Sequence, residues 1–273
     1  MRGMLIAGTG SGVGKTTFSL GLMALFKRRG FSVQAFKVGP DFIDPGLHAL
    51  VTGRPSYNLD GWLLSRDSVV NSFFRHNLGA EYAIAEGVMG LFDGLRGGGE
   101  EGSSAQIAKW LALPVILVVD VGGMARSAAA LVKGFETFDP GLKISGIVFN
   151  RVGGEGHFRS LKEAVEGSCQ GKVLGYLPWD ERLHLPERHL GLITAQEDPF
   201  SPGYLDRLAD LIEAHGDVER LFQGATDQNL VVYHSDFEEN ATSTRSLPLQ
   251  GGGVEGGVRI GIAYDKAFCF YYP

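Results

Sequence analysis

Apolar residues along this chain gather into short runs separated by polar, glycine-rich stretches, and their period alternates from run to run. Residues 4–8, MLIAG, form a brief continuous apolar stretch that predicts a buried strand. A helix is expected to follow as far as Arg29, with Phe18, Leu22 and Leu25 at helical spacing and Gly30 at its C-terminal stop. Further strands are predicted over 32–38, 81–86, 114–120, 143–150 and 172–178. Helices are predicted over about 66–77, 104–112, 124–138 and 157–168. Strands alternating with helices imply an α/β fold, a mostly parallel sheet with helices on both faces. The run VILVV suits a central strand buried on both sides.

A last helix over 203–222 closes this pattern, and the composition then shifts. Residues 223–257 carry QGATDQ, NATSTRS and GGGVEGG, which read as linker. VRIGIAYD at 258–265 predicts a fresh strand, but the 16 residues 258–273 cannot bury a core of their own. The expected organisation is a first domain over 1–222, a linker over 223–257, and the opening of a second domain over 258–273.

With 44% hydrophobic and 21% charged residues, the chain can bury a full core. Glycine is in excess, 40 of 273 residues, without a G-X-Y period, so it signals turns and close backbone approaches rather than collagen. Twenty-five Lys and Arg against 31 Asp and Glu leave a net charge of −6, which offers no general attraction for nucleic acid or an anionic membrane. The longest apolar stretches, such as 113–119, fall far short of the ~20 residues that a spanning helix needs. Cys169 and Cys269 stand alone, without a CxxC pair, and no signal-peptide layout precedes the first strand. A reducing cytoplasm is the expected location.

The candidate chemistry begins directly after the first strand. Gly8-Thr9-Gly10-Ser11-Gly12-Val13-Gly14-Lys15-Thr16-Thr17 links a strand to a helix, the context of a phosphate-binding P-loop. Backbone N–H groups from Gly10 to Thr17 are expected to wrap phosphate oxygens, with Lys15 reaching the β and γ phosphates and the Thr16 hydroxyl serving Mg²⁺. The strict pattern wants glycine where Thr9 stands, a job that Gly8 can take. No N-K-x-D motif reads guanine, and Gly10 stands about where partition-type ATPases carry a second lysine. An ATP-binding P-loop NTPase is therefore predicted. Asn150, at a strand end, either reads the adenine edge or simply forms a turn.

Ligands of open α/β sheets bind beyond the carboxyl ends of the strands. Lys37, Asp41 and Asp44 follow the second strand in KVGPDFIDPG, whose prolines and glycines should stiffen a loop. Glu86 ends another strand and Asp93 follows it in AEGVMGLFDG. Any one of these acids alone reads equally as a solvated loop residue. Clustered at strand ends in a P-loop chain, they suit phosphoryl transfer, with Thr16, Asp41 and Glu86 near Mg²⁺. Lys37 either stabilises charge on the transferred group or forms a surface salt bridge. The seven histidines, His184 and His189 among them, form no metal-binding pattern such as HExxH.

These segments match a known family. GTGSGVGKTT, FKVGPDFIDPGLH, TGRPSYNLDGW, AEGVMGLFDG, AQIAKWLALPVILVVD, FNRVGGEGH, LGYLPWDERLHLPERHLGL and RIGIAYDKAFCFYYP run in the order found in cobyrinic acid a,c-diamide synthases, which the chain resembles from end to end. The resemblance implies an ATP- and Mg²⁺-dependent carbon–nitrogen ligase whose synthetase domain is similar in fold to dethiobiotin synthetase. It implies phosphorylation of tetrapyrrole carboxylates, with ammonia from a glutamine amidotransferase domain then displacing phosphate. Asp41, Glu86 and Asp93 then look like acids of the phosphoryl-transfer site, beside Lys15 and Lys37. Phe42, Ile43 and Asp44 lie in the loop that should meet the substrate, and Ser104, Arg188 and His189 are further substrate-side candidates. The amidotransferase domain should begin near Val258 and run on past Pro273, so nitrogen is expected from a glutaminase part outside these residues or from free ammonia. A homodimer is left open. The same chemistry on nickel sirohydrochlorin, a partition-type nucleotide switch and a non-catalytic remnant are the competing readings.

Overall fold

The computed structural model describes residues 2–183, 187–188, 191–192, 199–224 and 226–227. Nearly all of the expected linker, the strand expected at 258–265, Cys269 and the aromatic residues near it lie outside the described residues.

Seven parallel strands build one sheet: β1 (Arg2–Gly8), β2 (Val33–Val38), β3 (Tyr57–Leu59), β4 (Tyr82–Glu86), β5 (Val115–Asp120), β6 (Ile144–Val152) and β7 (Lys172–Pro178). Their spatial order is β3-β2-β4-β1-β5-β6-β7. The helices are α1 (Lys15–Arg28), α2 (Asp44–Thr52), α3 (Arg66–His76), α4 (Ser104–Trp110), α5 (Ser127–Phe138), α6 (Glu155–Glu166), α7 (Tyr204–His215) and α8 (Val218–Gly224). Two-residue strands β8 (Glu187–Arg188) and β9 (Gly191–Leu192) pair with each other, and β10 (Thr226–Asp227) pairs antiparallel with the start of β1. The sheet is thus mostly parallel, as the alternating pattern predicts.

The two-residue period of β1 divides the core. Met4 and Ile6 pack with Phe18, Leu22 and Leu25 of α1 and with Leu208 and Ile212 of α7. Leu5 and Ala7 face the other way, toward Ala105 and Ile107 of α4. The crossover from β1 to β2 therefore runs over one face and that from β4 to β5 over the other. Because β1 and β4 are neighbours whose following helices lie on opposite faces, their carboxyl ends mark the switch point, the crevice at which such sheets bind ligands.

Three departures from the sequence pattern have physical causes. The stretch read as a stiff loop after β2 is helical from Asp44, because Pro45 lies in the first turn, where a missing N–H costs nothing. β3 is only three residues long, too short for a periodic signal, and pairs along Phe36 to Val38 as an edge. The helix expected over 203–222 is two helices. Gly216 leaves α7 in an extended conformation, φ −105° and ψ 149°, and bridges Gly175 in β7, while the Asp217 N–H donates to Leu174 O at 2.7 Å.

That junction predicts a stability effect. Gly175 sits at φ +145°, and a Cβ there would lie 2.6 Å from both Gly216 Cα and His215 O. These are backbone atoms that cannot rotate aside. Gly175→Ala is expected to cost about 3 kcal/mol or more, read as a lower denaturant midpoint; an unchanged midpoint contradicts the close approach.

Candidate active site

The loop between β1 and α1 forms one wall of the crevice. Gly14 precedes α1 in the left-handed region at φ +99°, and α1 starts on Lys15. A Cβ on Gly8 would meet Val13 Cγ2 at 2.5 Å and Lys15 Cγ at 3.0 Å, so the steric demand for glycine falls on Gly8 while Thr9 is tolerated. The end of β6 braces the loop from outside. Asn150 Nδ2 donates to Val13 O at 2.9 Å, and Arg151 Nη2 donates to Gly12 O at 3.3 Å. In planar trans peptides the N–H groups of Val13 and Gly14 then face the opposite way. Asn150, expected either to read adenine or to make a turn, is thus a clamp on the phosphate loop. Ser11 is exposed at the tip, and Thr17 is bonded to Tyr204 of α7, whose phenol is pushed up by burial.

Lys15 is buried and its Nζ donates to Gly10 O at 2.8 Å and to Met89 O, joining the loop to the segment after β4. Burial pulls its pKa down to about 8 against the attraction of Glu86. That segment runs alongside the P-loop, with the N–H groups of Gly87 and Leu91 bonded to Ile6 O and Gly8 O, each at 2.8 Å. Asp93 is exposed, closes the turn by accepting from the Gly90 N–H at 2.8 Å, and acts electrostatically on Lys15.

Glu86, fully buried at the end of β4, is the centre of the arrangement. Its Oε1 accepts from Thr16 Oγ1 at 2.7 Å and from Lys37 Nζ at 3.0 Å. Its Oε2 lies 2.8 Å from His48 Nε2, and His48 Nδ1 lies 3.1 Å from Ser56 Oγ. Lys37 also bonds Asp44 Oδ2 and Gly87 O, and it lies 3.7 Å from Asp41 Oδ2. Lys37 is therefore salt-bridged, but in the interior rather than at the surface. Burial alone lowers its pKa, and the surrounding Glu86, Asp44 and Asp41 outweigh that and hold it above the usual lysine range. Burial likewise opposes ionisation of Glu86, but Lys37, His48 and Thr16 together hold its carboxyl well below the usual range. Asp44, buried beside Glu86, is driven up instead. Of two neighbouring acids, Glu86 keeps the charge.

Several of the substrate-side candidates are turned inward. Asp44 is buried in its pair with Lys37 and has no outward carboxylate. Ser104 is 0% exposed, accepting from the Val88 N–H at 2.9 Å and donating to Val88 O at 3.2 Å, so it clamps the loop after β4. Ile43 packs against the core, leaving Phe42, 41% exposed, as the outward residue of its loop. Asp41 uses Oδ1 to accept from the N–H groups of Ile43 and Asp44 at 2.8 and 3.2 Å, which fixes the entry to α2. The Arg188 side chain and His189 lie outside the described residues.

His48 is the participant that sequence reasoning missed. Asp44, Leu47, His48 and Val51 are the buried i, i+3, i+4, i+7 face of α2, a signal hidden once DPG was read as a turn. Asn58 was missed as well; its Nδ2 donates to Gly39 O and Asp41 O at 2.8 and 2.7 Å, holding the loop before α2.

The hydroxyl of Thr16 and Oε1 of Glu86 present two hard oxygen donors side by side, and Asp41 Oδ2 adds a third at the rim. Among the described residues no cluster of His, Cys, Asp and Glu forms a protein-only metal cage. That donor set fits Mg²⁺, which binds through one or two carboxylates together with phosphates and water.

A family model described as the CobQ/CobB/MinD/ParA nucleotide binding domain matches residues 4–193. The cobyrinate a,c-diamide synthase of Syntrophotalea carbinolica is 44% identical over 271 residues, covering 99% of this chain and 56% of that protein. The protein of that name from Priestia megaterium is 43% identical over 99% of this chain and 56% of its own length. That of Archaeoglobus fulgidus is 42% identical over 98% and 56%. The chain thus spans a little over half the length of these relatives. Among solved structures, the signal recognition particle receptor FtsY of Elizabethkingia anophelis overlaps with a TM-score of 0.47 at 15% identity, covering 76% of this chain and 63% of that one, a likeness too distant to bear on the site.

Proposed function

The chain belongs to the CobQ/CobB/MinD/ParA nucleotide-binding family, and from that premise we propose that it carries the ATP-dependent half of a cobyrinate a,c-diamide synthase. In this reading residues 1–222 are the synthetase domain, 223–257 a linker and 258–273 the opening of a glutamine amidotransferase domain. The observation that carries it is the Thr16–Glu86 contact, which sets a buried, ionised carboxylate against the first turn of the P-loop helix.

The proposed reaction has two steps. A carboxylate oxygen of the macrocycle attacks the γ phosphorus of ATP, the bond to the β-γ bridging oxygen breaks, and acyl phosphate and ADP result. Ammonia then attacks the acyl carbon, phosphate leaves, a proton is released and an amide remains. Loop N–H groups and Lys15 bind the triphosphate, Lys15 giving up its carbonyl partners for phosphate oxygens. Thr16 and Glu86 would hold Mg²⁺, which when bound offsets charge on the β and γ phosphates. Lys37 stabilises the site indirectly, by keeping Glu86 ionised inside the fold. Asp93 keeps the loop that carries Met89 beside Lys15, and Phe42 lies outward at the mouth, where the macrocycle approaches. Ammonia comes from the glutaminase part or from solution.

The test is to incubate the chain with cobyrinic acid, ATP and ammonium, and in parallel with nickel sirohydrochlorin, and to weigh the products by mass spectrometry. One or two amides on cobyrinic acid are expected. Amidation of nickel sirohydrochlorin alone moves the acceptor, and no amide on either acceptor overturns the reading. ATP-dependent dimerisation without an amide points to a nucleotide switch instead. No helix among the described residues is long and apolar enough to cross a membrane, which is compatible with a cytoplasmic site of action.

A further inference from the structure

We propose that His48 is a positioning residue for metal–nucleotide binding, locking the Glu86 carboxylate so that one chosen oxygen faces Thr16. The inference rests on the reading of Thr16 and Glu86 as the protein oxygens beside Mg²⁺, and goes beyond it by assigning what orients them.

A glutamate carboxylate turns about a broad, two-fold terminal torsion, so a contact to one oxygen leaves its plane poorly defined. Thr16 and Lys37 both bond Oε1. The second constraint is His48, whose Nε2 lies 2.8 Å from Oε2. The ring is 0% exposed and comes from a different element, α2, and it meets the carboxylate oxygen that Thr16 and Lys37 leave unbonded. Its own orientation is set at the far edge by Ser56 Oγ, 3.1 Å from Nδ1. With Nδ1 accepting from the serine hydroxyl, Nε2 carries the proton and donates to the carboxylate.

Ser56 in turn is on an anchored segment. Gln34 Nε2 donates to Pro55 O at 2.7 Å, and Arg54 Nε donates to Gln34 Oε1 at 2.9 Å. A continuous set of bonds therefore runs from β2 through Ser56 and His48 to Glu86 and Thr16. Such outer contacts to a ligand carboxylate fix its orientation and are worth as much as 10- to 100-fold in metal affinity. Without His48, Oε2 would be a buried acceptor lacking its partner, and the carboxylate would be free to swing toward Lys37.

Two amides separate the two edges of the ring. In His48→Gln the amide nitrogen takes the place of Nε2 and keeps the bond to Glu86. In His48→Asn it takes the place of Nδ1, keeping Ser56 and losing Glu86. Mn²⁺ binding in the presence of ATP, followed by electron paramagnetic resonance, reads the effect without any turnover, and melting temperature without nucleotide reads folding.

His48→Asn is expected to weaken Mn²⁺–ATP binding on the order of 10- to 100-fold, with metal-free ATP binding unchanged. His48→Gln is expected to restore most of the loss, and the Mg²⁺ needed for half-maximal amidation should follow the same ranking. Equal Mn²⁺ binding by both variants, or losses that merely track melting temperature, overturns the proposal. If His48→Asn does not fold, Ser56→Ala serves instead: weaker Mn²⁺ binding at an unchanged melting temperature supports it, and unchanged Mn²⁺ binding overturns it. Wild-type protein that binds Mn²⁺–ATP but amidates no macrocycle sinks the proposed reaction and leaves this inference standing; wild-type ATP binding indifferent to metal sinks the inference.

Discussion

Glu86→Gln is expected to lower the turnover number on the order of 100- to 1,000-fold while changing nucleotide affinity far less. The substitution keeps the shape and removes the charge from a side chain that is 0% exposed. The carboxylate now accepts from three donors, Thr16 Oγ1, Lys37 Nζ and His48 Nε2. An amide offers one acceptor oxygen, and its NH₂ must face a lysine ammonium or the imidazole edge, donor against donor. Lys37 keeps its contacts to Asp44 and Asp41, and loss of the Glu86 charge lifts the repulsion that opposes ionisation of Asp44, so a counter-charge remains and the fold should survive. The harm falls on the oxygen beside Thr16, at the phosphate being transferred. Amidation kinetics alongside calorimetric ATP titration check this. Equal losses in turnover and affinity would mean that Glu86 only helps to hold ground-state nucleotide.

Lys15→Ala is expected to act on both quantities, weakening Mg-ATP binding and lowering amidation on the order of 100- to 1,000-fold or more. The ammonium is the cation whose stem folds over Gly8 and whose head bonds Gly10 O and Met89 O, so it sits inside the loop that would surround phosphate. Removing it also cuts one tie between the P-loop and the segment after β4, leaving the Leu91 N–H to Gly8 O bond in place. Calorimetry with wild type and variant decides the matter: equal binding would show that the loop does not grip the triphosphate, and the nucleotide half of the proposed mechanism would fall with it.

The legible parts of this chain were those whose signal is local. GTGSGVGKTT between an apolar strand and an amphipathic helix needs no distant partner to be read as a phosphate loop, since glycine, lysine and threonine act within ten residues. The acids at strand ends were legible for a related reason, because parallel sheets bring the carboxyl ends of their strands to one side. Asp41, Asp44 and Glu86 do meet there around Lys37. Their division of labour was not legible. Asp44 and Glu86 are both carboxylates after apolar strands, yet one is driven toward protonation and the other held ionised; both touch Lys37, but only Glu86 also gains bonds from His48 and Thr16, which come from two other elements.

α2 shows the same limit from another side. A local reading of DPG stops at a turn, because proline and glycine are turn formers; helix formation there is decided by the burial of Leu47 and Val51 against α1 and β2. Misjudging that helix hid His48. Asn150 and Ser104 were recognised as polar residues near the site, but whether they point at ligand or backbone depends on neighbours 137 and 16 residues away in sequence.

Sequence alone therefore determined that this is an α/β chain with a nucleotide-binding turn and acids beyond its strand ends, since short-range spacing and hydrophobic period encode those features directly. Only the tertiary structure decided that β1 lies between β4 and β5, that Glu86 is the buried carboxylate beside Thr16, and that His48 lies against its second oxygen. Strand adjacency and burial are set by packing between residues far apart along the chain, and no local pattern carries that information.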